Sequence, residues 1–170
     1  MANNIHGPLY YERMGRTGPV IGFIHPNPMD QSCWLFQMAH LSTWYRCITI
    51  DIPGYGRSPK ADAGLTMGDM AAACWEAIDE ACPGEAAVLV GCSVGSAIAP
   101  HMYHQRPDRT PAMVLAGTGY NPGKPFAKGR IDNYAAKGAG YRWEYTFQDM
   151  SPAFRATPLA EPSTRPTWYE

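Results

Sequence analysis

A chain of 170 residues has room for one domain with a substantial hydrophobic core, so no disulfide scaffold is required. Hydrophobic residues at 45% and charged residues at 17% exclude an intrinsically disordered chain. A net charge of −1 excludes a general electrostatic attraction for nucleic acid or for an anionic membrane.

No apolar run approaches the roughly 20 residues of a membrane span. The start, Met1-Ala2-Asn3-Asn4-Ile5-His6, has neither the basic nor the apolar stretch of a secretory signal. A soluble, cytoplasmic protein is therefore expected. The cysteines are Cys33, Cys47, Cys74, Cys82 and Cys92, odd in number and without a C-x-x-C pair. They read as free thiols rather than as a disulfide framework or a zinc site. No metal or cofactor motif is present in the sequence, and oligomeric state is left open.

In chain order, Leu9-Tyr10-Tyr11-Glu12-Arg13 reads as a short first strand, ended by turn signals between Gly15 and Gly18. Val20–Ile24 is a continuous apolar run, as a strand buried on both faces should be, and it leads into His25-Pro26-Asn27-Pro28. From Gln31 to His40, Trp34, Leu35 and Met38 have helical spacing. Cys47–Ile50 is the next buried strand. It stops at Asp51-Ile52-Pro53-Gly54-Tyr55-Gly56-Arg57-Ser58, where glycine and proline force a loop.

Thr66 to Cys82 is the clearest helix, with Thr66 and Asp69 as a capping box and Pro83-Gly84 as its stop. Met67, Met70, Ala71, Cys74, Trp75, Ile78 and Ala81 share one face, which reads as core. Ala86–Val90 is a further buried strand, a helix follows from about Val94 to Gln105, and Ala112–Ala116 is the last strand. Strands alternating with helices predict an α/β fold, a mostly parallel sheet built from right-handed crossovers with helices on both faces.

The chemistry concentrates in Gly91-Cys92-Ser93-Val94-Gly95. Between a buried strand and a helix, a G-x-S-x-G makes a turn so sharp that the residues flanking the serine at two places must be small. The hydroxyl then stands above the carboxyl edge of the sheet, beside a helix N-terminus that favours developing negative charge. With seven serines and 17 glycines in the chain, chance supplies only about 0.07 such matches. Cys92 is a rival nucleophile by type, but the turn exposes its middle residue, so Cys92 is expected to pack.

The order of these motifs resembles the N-terminal part of an α/β-hydrolase over roughly residues 8–160. Val20–Ile24 with His25-Pro26-Asn27-Pro28 resembles the strand and loop that supply half of that family's oxyanion hole. Asp51–Ser58 resembles its D-x-P-G-x-G-x-S loop, and Gly91–Gly95 its nucleophile elbow. The resemblance implies Ser93 as nucleophile, with Asn27 and the backbone N–H of Val94 as oxyanion-hole donors. Two departures accompany it. Pro26 stands where the family usually has glycine, and since Pro26 and Pro28 lack an N–H, Asn27 must be the backbone donor of its loop. Its side-chain amide could serve as well, as a comparable Asn does in dehalogenase-like members, although those use a nucleophilic aspartate.

The family order of nucleophile, acid, histidine is not completed. His101 and His104 fall on the helix that leads away from Ser93, Asp132 and Asp149 do not follow a buried strand, and His25 reads as a brace for its own loop. The resemblance thus implies a fold incomplete at its C-terminus. Residues 120–150, rich in aromatics from Tyr120 to Phe147, read either as a helical lid favouring an apolar substrate or as cover for the sheet edge. Residues 161–170 read as a disordered or divergent tail, and the abrupt change there suggests a truncated or frameshifted product. Two functions compete: a serine hydrolase of an ester, amide or similar small apolar substrate, and a non-catalytic binding protein that keeps the pocket. A lyase or perhydrolase on the same fold is a third, weaker alternative.

Overall fold

The computed structural model describes residues 5–60 and 64–117. Its centre is a five-stranded sheet of β1 (Tyr11–Met14), β2 (Val20–Ile24), β3 (Arg46–Ile50), β4 (Ala87–Cys92) and β5 (Met113–Ala116). The spatial order is β1-β3-β2-β4-β5, with β1 antiparallel to β3 and all other neighbours parallel. This is the mostly parallel α/β sheet that the alternation of apolar runs and helical segments predicts. The chain leaves β2 toward β3 on one side and returns to β4 on the other. The carboxyl ends of β2 and β4 therefore flank a topological switch point, where α/β sheets place their ligands.

β2 is buried along its whole length, which explains its unbroken apolar sequence. On one face of the sheet, Phe23, Ile21 and Cys47 pack with Trp34 and Met38. The segment carrying those two begins as a 3-10 turn over Gln31–Trp34 and continues as α1 (Leu35–Leu41). Leu35 departs from the sequence expectation and is 55% exposed, because the helix presents Trp34 and Met38, four residues apart, to the sheet.

The opposite face carries α2 (Met67–Ala81) and α3 (Val94–Gln105), which enclose Val20, Ile24, Ile48, Ile50 and Leu89. Thr66 caps α2 as expected: its hydroxyl accepts from the Asp69 N–H while the Asp69 carboxylate accepts from the Thr66 N–H. Ala71, Cys74, Trp75, Ile78 and Ala81 form the buried face, but Met67 lies 37% exposed at the first turn. Trp75 joins the two helices. Its indole N–H donates to the Met102 carbonyl at 2.9 Å, and the guanidinium groups of Arg106 and Arg109 stand over its ring. Both arginines pair with Asp79.

The boundaries of the first strand shift. Leu9 is buried but precedes the ladder, which runs from Tyr11↔Ile50 to Met14↔Cys47. Among the described residues β5 is the last strand beyond β4, and its four residues are exposed. Cys47, Cys74 and Cys82 are buried free thiols, while Cys33 and Cys92 are half-buried. Among the described residues, no helix is long and apolar enough to cross a membrane. The aromatic segment 120–150 and the tail 161–170 lie outside the described residues.

Candidate active site

Ser93 sits between β4 and α3 with φ 52 and ψ −112, the one left-handed non-glycine backbone among the described residues. Such a conformation costs on the order of 1–3 kcal/mol and persists only where the surroundings impose it. Here they do. A Cβ on Gly91 would lie 2.3 Å from the Gly95 carbonyl oxygen, and one on Gly95 would lie 2.2 Å from that of Ile24. Both positions exclude any side chain, as the turn mechanics require. The Ser93 N–H donates to Ala116 O at 2.9 Å, and its carbonyl accepts from the N–H of Ser96 at 3.0 Å and of Ala97 at 3.2 Å. The buried Ser96 hydroxyl adds a third donor at 2.6 Å. The backbone is thus held from every side while the Ser93 side chain is left exposed.

Cys92 behaves as expected of the residue beside the turn's apex. It packs half-buried beside the Phe23–Trp34 cluster, and burial pushes its thiol pKa up, away from nucleophilic thiolate.

The loop after β2 stands beside this elbow, because Ile24 pairs with Gly91 in the ladder. Asn27 is exposed and lies between Pro26 and Pro28, which have no N–H to offer. The Met29 N–H is taken by Pro26 O at 3.0 Å. His25 is fully buried. Its Nε2 accepts from the Ile52 N–H at 3.1 Å, so the ring proton belongs on Nδ1, which donates to Pro26 O at 2.9 Å. Burial lowers the His25 pKa, outweighing the pull of the Pro26 carbonyl and of Asp30. With both nitrogens engaged, His25 is a neutral brace between two loops, as read from the sequence.

Sequence reasoning placed Asp51–Ser58 as a loop but missed what organises it. The buried Asp51 carboxylate accepts from the Gln31 N–H at 2.7 Å and the Arg57 N–H at 2.9 Å. Burial raises its pKa against those two donors. A Cβ on Gly56, at φ 52, would lie 2.1 Å from Asp51 Oδ2, so the second glycine makes room for this carboxylate. Ser58 Oγ donates to Asp51 O and accepts from the Tyr10 N–H at 2.8 Å. The loop's Tyr55 donates its hydroxyl to Asn27 Oδ1 at 2.8 Å. No spacing rule announced that last contact, since the two residues are brought together only by adjacent strands.

His101 and His104 are exposed on α3. At about 1.5 Å of rise per residue, the helix carries both more than roughly 10 Å from Ser93. The structure does not bring either to Ser93. Asp132 and Asp149 lie outside the described residues. Among the described residues, no group of three His, Cys, Asp or Glu side chains could hold a metal ion.

Comparison with known proteins agrees with this architecture. A stretch of 105 residues, 62% of this chain, is 33% identical to the dihydrolipoyllysine-residue acetyltransferase component of the acetoin cleaving system of Cupriavidus necator, of which it covers 28%. A haloalkane dehalogenase of Mesorhizobium japonicum is 32% identical over 101 residues, covering 59% of this chain and 32% of the relative. The chain therefore matches about a third or less of the length of these two relatives. Among solved structures, a thermophilic esterase of Thermogutta terrifontis superposes with a TM-score of 0.80 at 26% identity, covering 92% of this chain and 60% of that one. The family model of the alpha/beta hydrolase fold matches residues 19–165, and the chain belongs to that family.

Proposed function

We propose that this chain carries the nucleophile and oxyanion-stabilising part of a serine hydrolase acting on an ester, amide or similar small apolar substrate. The observation that carries the reading is the strained, exposed Ser93 on a turn whose flanking glycines admit no side chain. Strain imposed from every side at an exposed serine has no packing benefit, and it clusters where chemistry needs a fixed group. Ser93 Oγ adds to the substrate carbonyl. The tetrahedral intermediate breaks its C–O or C–N bond to the alcohol or amine, which leaves carrying the serine's proton, and the acyl-enzyme so formed is then hydrolysed by water. The N–H of Val94, in the first turn of α3, and the N–H of Asn27 hold the oxyanion. A serine at this position favours acyl transfer over the aspartate chemistry of dehalogenase-like members, and the esterase likeness points the same way.

Attack requires a general base. Among the described residues His25 is committed to its two loops, while His101 and His104 point along the wrong stretch of helix. That observation favours a second reading, a pocket that binds without turnover. A fluorophosphonate probe separates the two. Labelling of wild type that is abolished by Ser93→Ala supports the hydrolase. Labelling no stronger than that of the Ser93→Ala variant refutes it and leaves the binding protein.

A further inference from the structure

We propose that the outward face of α1 is a self-association surface, where a second copy of this chain docks across a two-fold axis through Phe36 and Trp44. The proposal is independent of the reading of Ser93.

The segment from Gln31 to Tyr45 contains no Asp, Glu, Lys or Arg. Within it Trp34 and Met38 are buried against the sheet. At 3.6 residues per turn Phe36 therefore points away from the sheet, and His40 one turn later shares its face. Among the described residues Phe36 is 80% exposed, Trp44 58% and Leu35 55%. The exposed His40 ring links the row, meeting Trp44 edge-on with centroids 5.6 Å apart. So exposed a Phe36 adds almost nothing to the core.

With roughly 200 Å² of surface per aromatic side chain, these three residues offer about 350 Å² of apolar area. An apolar patch of that size on a monomer is often functional. It is close to half of the area of about 800 Å² that each partner of a standard interface buries. Exposed Gln37 and Thr43 supply polar neighbours, so the face has the aromatic centre and uncharged polar border of an interface.

Charge selects the occupant. A partner recognised through ion pairs finds nothing to pair with between Gln31 and Tyr45, and an anionic membrane calls for basic residues beside the rings. A second copy needs neither. In a two-fold contact each patch meets itself, and an uncharged patch does so without setting like charges together. The net charge of −1 leaves little repulsion between whole chains.

The test is sedimentation velocity on the full chain. Wild type is expected to be a dimer at about 100 μM that dissociates on dilution toward about 1 μM. Phe36→Glu is expected to weaken association about 30-fold or more, the loss of a central aromatic anchor. Phe36→Lys does the same alone, and an equimolar mixture of the Phe36→Glu and Phe36→Lys chains regains the dimer, because the axis sets position 36 against itself. Should Phe36→Glu lose its circular dichroism, Trp44→Ser carries the same expectation of weakened association. A monomeric wild type, a Phe36→Glu dimer as tight as wild type, or a mixture that stays monomeric overturns the proposal. A monomeric wild type that sediments with phosphatidylcholine vesicles overturns it in favour of a lipid surface. A monomeric wild type whose Tm falls with Phe36→Glu overturns it in favour of cover from elsewhere in the chain.

Discussion

Replacing Gly95 by alanine tests the mechanical account of the elbow directly. The added methyl would lie 2.2 Å from the carbonyl oxygen of Ile24, 2.7 Å from its carbon and 3.1 Å from the oxygen of His25. The first of these is roughly 1 Å or more short of an ordinary carbon contact. The wall it meets is the backbone of the central strand, bonded on both sides, so the room must come from moving α3 away from β2. Overpacking costs about 1–3 kcal/mol, and an unyielding backbone wall puts this site at or above the top of that range. The better helix propensity of alanine returns about 1 kcal/mol. The net loss expected is about 2 kcal/mol, or a fall in Tm of roughly 8 °C for a domain near this size. Gly22→Ala is the control. Its methyl would meet the terminal Cδ1 of Ile78 at 2.9 Å, a side-chain end that can rotate away, and the expected loss is about 1 kcal/mol or less. Thermal unfolding followed by circular dichroism compares the two. A Gly95→Ala midpoint equal to wild type, or no lower than that of Gly22→Ala, would show that the elbow is not held by backbone contact.

Ser93→Gly should stabilise the fold while removing the proposed nucleophile. Relief of the left-handed strain gains about 2 kcal/mol and the flexibility of unfolded glycine takes back about 1, for a Tm higher by roughly 4 °C. Ser93→Ala keeps the Cβ and should not gain; equal midpoints for the two variants would argue that Ser93 is unstrained. The His25 brace predicts a pH dependence of stability. Its pKa is lowered in the folded protein, so it contributes full stability above its ordinary value of 6.5 and loses it as pH falls below 6.5 toward the folded value. Urea unfolding between pH 7 and pH 5 should show wild type losing stability that His25→Phe does not lose. Asp79 and Glu85 do not interfere in that window: burial raises the Asp79 pKa but the arginines more than offset it, and Arg46 lowers that of Glu85, so both act below their ordinary 3.8 and 4.5. Parallel curves for the two proteins would refute the neutral-brace assignment.

The amino-acid sequence alone determined the features that depend on neighbours along the chain. Val20–Ile24 could only be a strand buried on both faces, Thr66 and Asp69 fixed the start of α2, and Gly91 and Gly95 announced a turn too tight for side chains. Those signals are local, carried by backbone sterics, capping and period, and the structure reproduces them to within a residue or two. The tertiary structure alone decided what depends on which strands lie side by side. It set Gly95 against Ile24, put the carboxylate of Asp51 in the space a Gly56 side chain would fill, engaged both nitrogens of His25, and brought the Tyr55 hydroxyl to Asn27. It also exposed Leu35, which apolar spacing alone does not foresee, since periodicity shows that a face can be buried and not whether something covers it. Residues far apart in sequence meet only through the order β1-β3-β2-β4-β5. That order is fixed by the global packing of helices on the sheet rather than by any single segment.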